Sequence, residues 1–304
     1  MAAARRLPVR AADTTLTPAE GPPPFARIGV VGLGLIGGSI ALAAREVWPT
    51  TLVIGVDRKE VLEQAMVRHA IDVGADDLGM LAEADLVVLS APVLQTISIL
   101  RDLPDVVAGD AVVTDVSSTK RAVVRAAADL PGRLSFVGGH PLTGAARGGL
   151  GSAAAGLFVG RRWILTPSGD LPGEVVSKVS AFVEAVGARP MPMDPARHDA
   201  LLAFVSHLPQ LTASALMRVV GEAVGDEGLD LAAGGLLDTT RLASSPGDIW
   251  ADICATNADH LEAAIDRLIE ELSAMRRGLG DRDAVMRDFA AAAAWRARLS
   301  TRDL

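Results

Sequence analysis

The chain has 304 residues, of which 50% are hydrophobic and 22% charged, and its formal net charge at pH 7 is −8. This length suits two domains of ordinary size, and the composition is that of a soluble globular protein. The negative charge argues against nucleic acid as a bulk partner. The single cysteine, Cys254, excludes an intrachain disulfide, argues against a cysteine-based metal site and favours the reducing cytoplasm.

The first 25 residues differ from the rest of the chain. They carry three early arginines and end near Pro22, Pro23 and Pro24, which cannot continue a helix or a central strand. We predict a disordered tail over residues 1–25. No apolar run approaches the roughly 18 residues of a membrane span, and no signal-peptide pattern is present, so we expect no membrane partner.

Residues 27–57 predict the binding site of a dinucleotide. A short apolar strand runs into the pattern GxGxxG at Gly32, Gly34 and Gly37, and a helix and a second strand follow. In such a site Gly32 makes the tight turn and Gly34 lets the backbone approach the pyrophosphate. Gly37 lets the helix pack closely on the strand. The alternative is a glycine turn in an α/β protein that binds no nucleotide.

The residues around this turn predict which dinucleotide is bound. Leu35 and Ile36 start the helix, whose N–H groups and dipole would hold the diphosphate. Asp57 ends the second strand and would bind the ribose hydroxyls while repelling a 2′-phosphate, which favours NAD over NADP. Arg58 could tolerate that phosphate, so NADP remains possible.

Apolar strands alternate with helical stretches from residue 27 to residue 166. The predicted strands are 27–31, 52–56, 85–92, 111–115, 134–137 and 162–166, and the predicted helices are 40–47, 59–69, 95–100 and 119–129. This alternation predicts a parallel, doubly wound sheet, hence an α/β Rossmann-type domain over residues 26–170. Because ligands bind at the carboxyl ends of such strands, we expect Ala91, Pro92 and Asp115 to contact the cofactor.

The rest of the chain, residues 171–304, predicts an all-α domain. Its helices are expected at 174–186, 195–224, 235–250, 253–277 and 284–298. Leu261, Ile265, Leu268 and Leu272 recur every three or four residues and mark one apolar helix face. A second copy of the domain is the simplest partner for such faces, so we predict a homodimer.

Two candidate catalytic residues follow strands of the predicted sheet. His140 lies in a Gly-His-Pro loop, where a neutral imidazole could take a proton from a substrate hydroxyl. It could equally be a histidine that ties the loop. Ser118 follows the strand that ends at Asp115 and could orient His140 or the substrate; the alternative is a helix cap.

The helical half holds the candidates for substrate binding. His207 precedes Pro209 in an apolar run, which suggests a kink facing a cavity, or else a satisfied core histidine. Arg241 carries the planar fork that binds a carboxylate in two places; the alternative is an ion pair with Asp238, three residues away on a helix. We assign Asp238, Arg241 and Trp250 to the substrate site. The sequence contains no HExxH, P-loop or GxSxG motif, and we expect no metal.

These motifs together resemble the prephenate/arogenate dehydrogenase family of tyrosine biosynthesis. They occur in the family's order at residues 32–39, 115–120, 139–141, 206–209 and 238–241, with Trp250 following. The resemblance implies NAD(P) in the Rossmann domain, a dimer through the helical domain and an active site between them. The implied activity is oxidative decarboxylation of prephenate to 4-hydroxyphenylpyruvate, or of arogenate, or of both.

The resemblance also implies roles for single residues. His140 would accept the hydrogen bond of the ring hydroxyl, with Ser118 as its support. Arg241 would hold the ring carboxylate and His207 would face the substrate side chain. Trp250 would close the pocket, from the same or from the other subunit.

One departure from the family leaves the substrate open. Many relatives carry a glutamate two residues after the glycine at position 144, followed by a lysine, whereas this chain has Ala146 and Arg147. The choice between prephenate and arogenate is therefore not determined by that acid. Asp199, near His207, could bind the ammonium group that arogenate carries.

Two other functions compete with this interpretation. A 3-hydroxyacid dehydrogenase has a similar cofactor domain but relies on a lysine in its helical domain, and Lys178 is the only lysine after Lys120. A non-catalytic NAD-sensing module would bind the cofactor but would not need His140 and Arg241 at one site.

Overall fold

The computed structural model describes residues 16–144, 147–167 and 171–300. The chain divides into two compact units, Met1–Pro195 and Ala196–Leu304. The first unit contains an eight-stranded sheet with helices, and the second is helical. The predicted fold class, a Rossmann-type domain followed by an all-α domain, is confirmed.

The sheet has the strand order β3-β2-β1-β4-β5-β6-β7-β8. Its strands are β1 (Arg27–Val31), β2 (Leu52–Val56), β3 (Val73–Ala75), β4 (Leu86–Leu89), β5 (Ala111–Asp115), β6 (Leu134–Pro141), β7 (Arg162–Pro167) and β8 (Arg189–Pro192). Its helices are α1 (Leu35–Val47), α2 (Lys59–Val67), α3 (Val93–Val106), α4 (Arg121–Ala127) and α5 (Gly173–Ala185). The short edge strand β3 was not predicted.

Side chains of the central strands alternate between two cores, one on each face of the sheet. Ile28 and Val30 of β1 pack in the core that includes α1 and α5, whereas Val31 packs in the core that includes α3. Burial on both faces explains why these strands are continuous apolar runs in the sequence.

The last two strands, β7 and β8, run against the other six, which was not predicted from the sequence. β7 pairs with β6 antiparallel, with His140 opposite Ile164. A parallel neighbour needs a long crossover, usually a helix. Among the described residues between β6 and β7 there are only short 3-10 turns, at Leu150–Ser152 and Ala155–Phe158, so the chain returns in the opposite direction.

The sheet unit extends further along the chain than predicted. α5 leads to β8, which pairs with β7 in parallel, so both elements belong to the first unit and not to the helical one. The N–H groups of Arg189 and Met193 donate to the carbonyls of Arg161 and Leu165 at 2.7 and 2.9 Å. The boundary therefore lies at residue 195 and not at 170.

Part of the predicted tail is packed on the sheet unit. Residues 1–15 lie outside the described residues. Leu16 packs against the core, and the N–H of Ala19 donates to the carbonyl of Val47 at 2.9 Å. Phe25 is buried, with its ring edge-on to Phe182. The prediction of disorder is therefore wrong for residues 16–25, because these apolar side chains are anchored on α1 and α5.

The second unit starts within the first of six helices. They are α6 (Pro195–Leu202), α7 (Leu208–Leu229), α8 (Gly234–Thr240), α9 (Gly247–Thr256), α10 (Ala258–Gly278) and α11 (Arg282–Ser300). A π-helical turn, Ala203–His207, joins α6 to α7. The single helix predicted over 235–250 is instead broken by a 3-10 turn, Arg241–Ser244, and by Pro246.

The stretch Pro195–Leu229 is long and apolar enough to cross a membrane by length and composition, with a mean hydropathy of 1.4 in its best window. This differs from the expectation that no apolar run approaches the length of a membrane span. This is weak evidence for a span, because a helix of a soluble protein passes the same test. The stretch also contains the π turn, and α7 is kinked at Gly225, where φ is +57°.

Candidate active site

The glycine-rich turn of the first unit has the shape predicted for a dinucleotide site. Gly32 has φ +88°, and a Cβ there would lie 2.4 Å from the carbonyl oxygen of Ser90. A Cβ on Gly37 would lie 1.9 Å from the carbonyl oxygen of Gly32. A Cβ on Gly34 would meet nothing within 4 Å, so the backbone there faces open space. The close packing thus surrounds a position that a ligand can approach.

The start of α1 suits an anion. Leu35 and Ile36 form the first turn, which contains no acidic residue, and no side chain caps the helix at Gly34. The backbone N–H groups of a helix start and the helix dipole together attract negative charge. The turn can therefore hold a diphosphate.

Asp57 is fixed at the carboxyl end of β2. One carboxylate oxygen accepts a hydrogen bond from the N–H of Leu33 and the other from the N–H of Arg58, both at 2.7 Å. A carboxylate oxygen has two acceptor sites, so each can still accept a ribose hydroxyl. Arg58 itself is exposed.

The ends of β5 and β6 are joined by a buried ion pair. The ammonium group of Lys120 contacts the carboxylate of Asp115 and donates to the carbonyl oxygen of Gly139 at 2.6 Å. Asp115 also accepts from the N–H groups of Ser117 and Gly139 at 2.9 and 3.0 Å. The side chains of Asp115 and Lys120 are both 0% exposed. The prediction that Asp115 contacts the cofactor is thus wrong for its side chain, which is occupied inside the fold.

Gly139 makes this close approach of β5 and β6 possible. A Cβ there would lie 2.5 Å from the carbonyl oxygen of Asp115 and 2.9 Å from the indole nitrogen of Trp163. His140 follows directly and is half-buried, after four buried residues of β6. The close packing at Gly139 therefore fixes the backbone from which the side chain of His140 projects.

Ser118 lies in the same locked loop, between Asp115 and Lys120, and is half-buried. The alternative role as a helix cap is not supported, because α4 starts after Lys120 and has no side-chain cap.

At the neighbouring strand end, Ala91 and Pro92 lead into α3. Their carbonyls accept hydrogen bonds from the hydroxyl and the N–H of Thr96, at 3.1 and 2.8 Å.

His207 of the helical unit is a buried member of a polar network. It ends the π turn, and its ring lies edge-on to that of Trp250 of the same chain, with centroids 6.0 Å apart. The side-chain nitrogen of Asn257 lies 3.3 Å from Nδ1 of His207 and donates to the backbone carbonyl of Asp199 at 2.9 Å. Asp199 Oδ1 lies 2.8 Å from Nδ1 of His198, and both side chains are 0% exposed.

Arg241 stands at the start of the 3-10 turn and is exposed. Asp238 is exposed too, and within the described ranges no ion pair joins the two or engages the Arg241 guanidinium elsewhere. The turn is anchored by Gln210 of α7, whose amide donates to the carbonyl of Leu242 at 2.7 Å and accepts from the Ser245 hydroxyl at 3.1 Å. An anchored backbone with an unpaired guanidinium suits a carboxylate ligand.

Three residues at these positions were not predicted from the sequence. Lys120 was within a motif but was not recognised as the partner of Asp115. Gln210 and Asn257 were not singled out. The available signal for Gln210 was its position directly after the Ser-His-Leu-Pro motif in an apolar run, whereas Asn257 lay inside the helix predicted over 253–277 and gave no signal.

Family models match most of the chain. The family model of the prephenate dehydrogenase nucleotide-binding domain matches residues 40–191. The model of the prephenate dehydrogenase dimerization domain matches residues 194–290. The chain belongs to the prephenate dehydrogenase family. The family expected from the motifs is thereby confirmed, and the change of model near residue 192 agrees with the boundary in the structure.

Individual relatives cover nearly the same range. A prephenate dehydrogenase of Bacillus subtilis is 35% identical over 84% of this chain and 70% of its own. The structure of a prephenate dehydrogenase from A. aeolicus in complex with hydroxyphenyl propionate and NAD+ superposes with a TM-score of 0.83, at 28% identity, over 91% of this chain and 98% of its own. A Synechocystis arogenate dehydrogenase has a TM-score of 0.76 at 29% identity, over 90% and 99%.

Proposed function

We propose that this protein is a prephenate dehydrogenase, which converts prephenate to 4-hydroxyphenylpyruvate with NAD as the oxidant. The observation that carries the proposal is the buried Asp115–Lys120 pair bound to Gly139. It holds an imidazole and a serine at adjacent strand ends of a Rossmann sheet, the edge at which such sheets bind dinucleotides. Family membership supports the same activity.

The residues present fit a bound NAD. Gly32, Gly34 and Gly37 form a turn whose one open position is the middle glycine, where a pyrophosphate would approach. The first N–H groups of α1 would hold the phosphates, and Asp57 would bind the adenosine ribose and disfavour a 2′-phosphate. When bound, NAD supplies the acceptor for a hydride.

His140 would act on the ring hydroxyl of the substrate. It accepts the hydroxyl proton while the hydrogen on the same carbon leaves as hydride, and Ser118 orients the hydroxyl. The bond between ring and carboxylate then breaks, its electrons enter the ring, and carbon dioxide leaves. The proton returns from His140 to the phenol oxygen. Because the ring becomes aromatic, the protein mainly has to position the reacting groups.

Arg241 would bind the ring carboxylate until it leaves. Its guanidinium is exposed and forms no ion pair within the described residues. Asp238, on the preceding helix, would lie beside it. His207 and Trp250, whose rings are in contact, would receive the side chain of the substrate.

We further propose that the helical unit forms a homodimer. Large apolar side chains of α11 and of the turn before it are exposed in the single chain, including Leu279, Phe289 and Trp295 at 71, 66 and 69%. Exposed apolar surface of this kind marks an interface, and the matching family model is a dimerization domain.

A cytoplasmic location is proposed on the basis of the single free cysteine and the need for NAD.

The test is the formation of NADH by the purified protein, with prephenate and arogenate offered separately. Activity with prephenate supports the proposal, and bound NAD without activity on either compound would overturn it. His140→Asn should retain NAD binding and lose about 10²–10⁴ in turnover. His69→Asn is the matched control, because His69 has φ +54°, which asparagine adopts readily, so its turnover should be unchanged.

A further inference from the structure

Asn257 occupies a helix start without capping the helix. It is the residue before α10, where asparagine usually accepts a hydrogen bond from the first turn, yet its side chain forms no cap. Its amide instead donates to the backbone carbonyl of Asp199 at 2.9 Å. A carbonyl oxygen only accepts, so the amide atom facing it must be the nitrogen. The hydrogen-bond chemistry therefore fixes the orientation of this amide.

The orientation of Asn257 fixes the tautomer of His207. The same amide nitrogen lies 3.3 Å from Nδ1 of the imidazole. An amide nitrogen only donates, so Nδ1 must be the acceptor, and the neutral ring then carries its proton on Nε2. A proton on Nδ1 would set one N–H against another. His207 is thus held as a ring that donates from Nε2.

The acid in this network is already engaged. The carboxylate of Asp199 is completely buried and lies 2.8 Å from Nδ1 of His198, its neighbour on α6. Our expectation that Asp199 could bind the ammonium group of arogenate is therefore not supported. Its backbone carbonyl serves a different purpose, which is to hold Asn257.

We propose that Asn257 is a positioning residue that determines substrate choice by holding His207 as the Nε2–H tautomer. The helical unit then offers a hydrogen-bond donor to the side chain of the substrate. A keto oxygen accepts from this donor, whereas an ammonium group can only donate and is disfavoured. The protein thus selects the α-keto acid over the corresponding α-amino acid. This inference rests on the proposed function, in which His207 receives the substrate side chain.

The tautomer can be measured without any activity. The full-length protein is labelled with ¹⁵N-histidine, and the signal of His207 is assigned by its loss in His207→Asn. The proposal expects the shift of an unprotonated nitrogen for Nδ1 and of a protonated one for Nε2. Asn257→Leu should mix the two tautomers, and Asn257→Asp should move the proton to Nδ1, since a carboxylate accepts. The opposite tautomer in the natural protein would overturn the proposal.

Substrate choice is measured as kcat/KM for prephenate divided by kcat/KM for arogenate. Asn257→Leu should lower this ratio about tenfold, mainly through KM for prephenate, because one hydrogen bond to the side chain is lost. His207→Gln should keep the ratio, since its amide nitrogen can replace Nε2–H, whereas His207→Asn should lose it. His260→Asn, on α10 itself, is the control and should leave the ratio unchanged.

The outcomes separate the two proposals. Equal losses for both substrates in Asn257→Leu would mean that Asn257 only supports the fold, which overturns the inference while the proposed function stands. Circular dichroism decides whether that variant is folded; if it is not, His207→Gln against His207→Asn carries the test. Inactivity of the natural protein on both compounds would overturn the proposed function, and the ¹⁵N result would still decide the tautomer.

Discussion

Lys120→Met is expected to destabilise the sheet unit severely. Lys120 and Asp115 are 0% exposed, and the ammonium group is the only cation paired with this carboxylate among the described residues. Removing one partner of a buried pair leaves an uncompensated charge and costs about 3–5 kcal/mol. Gly139 also loses the donor to its carbonyl. A cost of this size is a large part of the free energy of unfolding of a domain, which is roughly 5–15 kcal/mol.

The assay is urea unfolding of the full-length protein, followed by circular dichroism and tryptophan fluorescence. Lys178→Met is the matched control, because Lys178 is 51% exposed in a pair with Glu174 and should contribute less than about 1 kcal/mol. The double variant Asp115→Asn with Lys120→Met should recover part of the loss, since no charge is left buried. If Lys120→Met cost no more than Lys178→Met, the argument that this pair holds the loop would be refuted.

Five further variants or measurements address the cofactor, the substrate and the thiol. Gly34→Ala should fold normally but raise the Kd for NAD at least ~tenfold. Gly37→Ala should instead lower the urea midpoint of unfolding, because its Cβ would lie 1.9 Å from a carbonyl oxygen. The reverse pattern would contradict the assigned roles. Asp57→Asn should reduce the preference for NAD over NADP, measured as a ratio of kcat/KM, and an unchanged ratio would remove Asp57 from the ribose site. Arg241→Lys should raise KM for prephenate about 10–100-fold, because a lysine cannot replace the two-point contact, and an unchanged KM would argue against that contact. Burial raises the pKa of the Cys254 thiol. Alkylation of Cys254 at neutral pH should therefore be slower than alkylation of a free cysteine in solution, and should accelerate as the pH rises through the raised pKa. Equal rates at neutral pH would contradict this.

The parts of the fold that follow from local chemistry could be predicted from the sequence. A turn such as that at Gly32 and Gly37 requires glycine, and the apolar strands β1 and β2 on either side of α1 leave few alternatives. The direction of β7 could not be predicted, because the 3-10 turns before it have no sequence signature. The residues of β8 were assigned to the all-α domain, since two prolines in four residues are uncommon in a strand.

Candidate site residues could be chosen from the sequence where a residue type has one obvious use. His140 and Arg241 were found because an imidazole after a strand and a planar cation in a helical unit suggest a base and a carboxylate ligand; their roles here remain proposals. Asp115 was misassigned, because a strand-end acid faces a ligand as often as it faces the protein, and only the fold reveals Lys120. Asn257 lies inside the single helix predicted over 253–277, whereas in the structure it separates α9, which ends at Thr256, from α10, which starts at Ala258. Its actual contacts are with residues about 50 positions away.

The two prolines of β8 also determine where the sheet stops. Arg189 and Met193 direct their N–H groups towards β7, so the alternate residues, Pro190 and Pro192, face outward. Proline has no N–H, so the outer edge of β8 lacks the donors with which another strand would pair. Unprotected edges are where sheets join into larger aggregates. The outer edge of β8 therefore cannot donate the hydrogen bonds that a further strand would need, and its own sequence ends the sheet there.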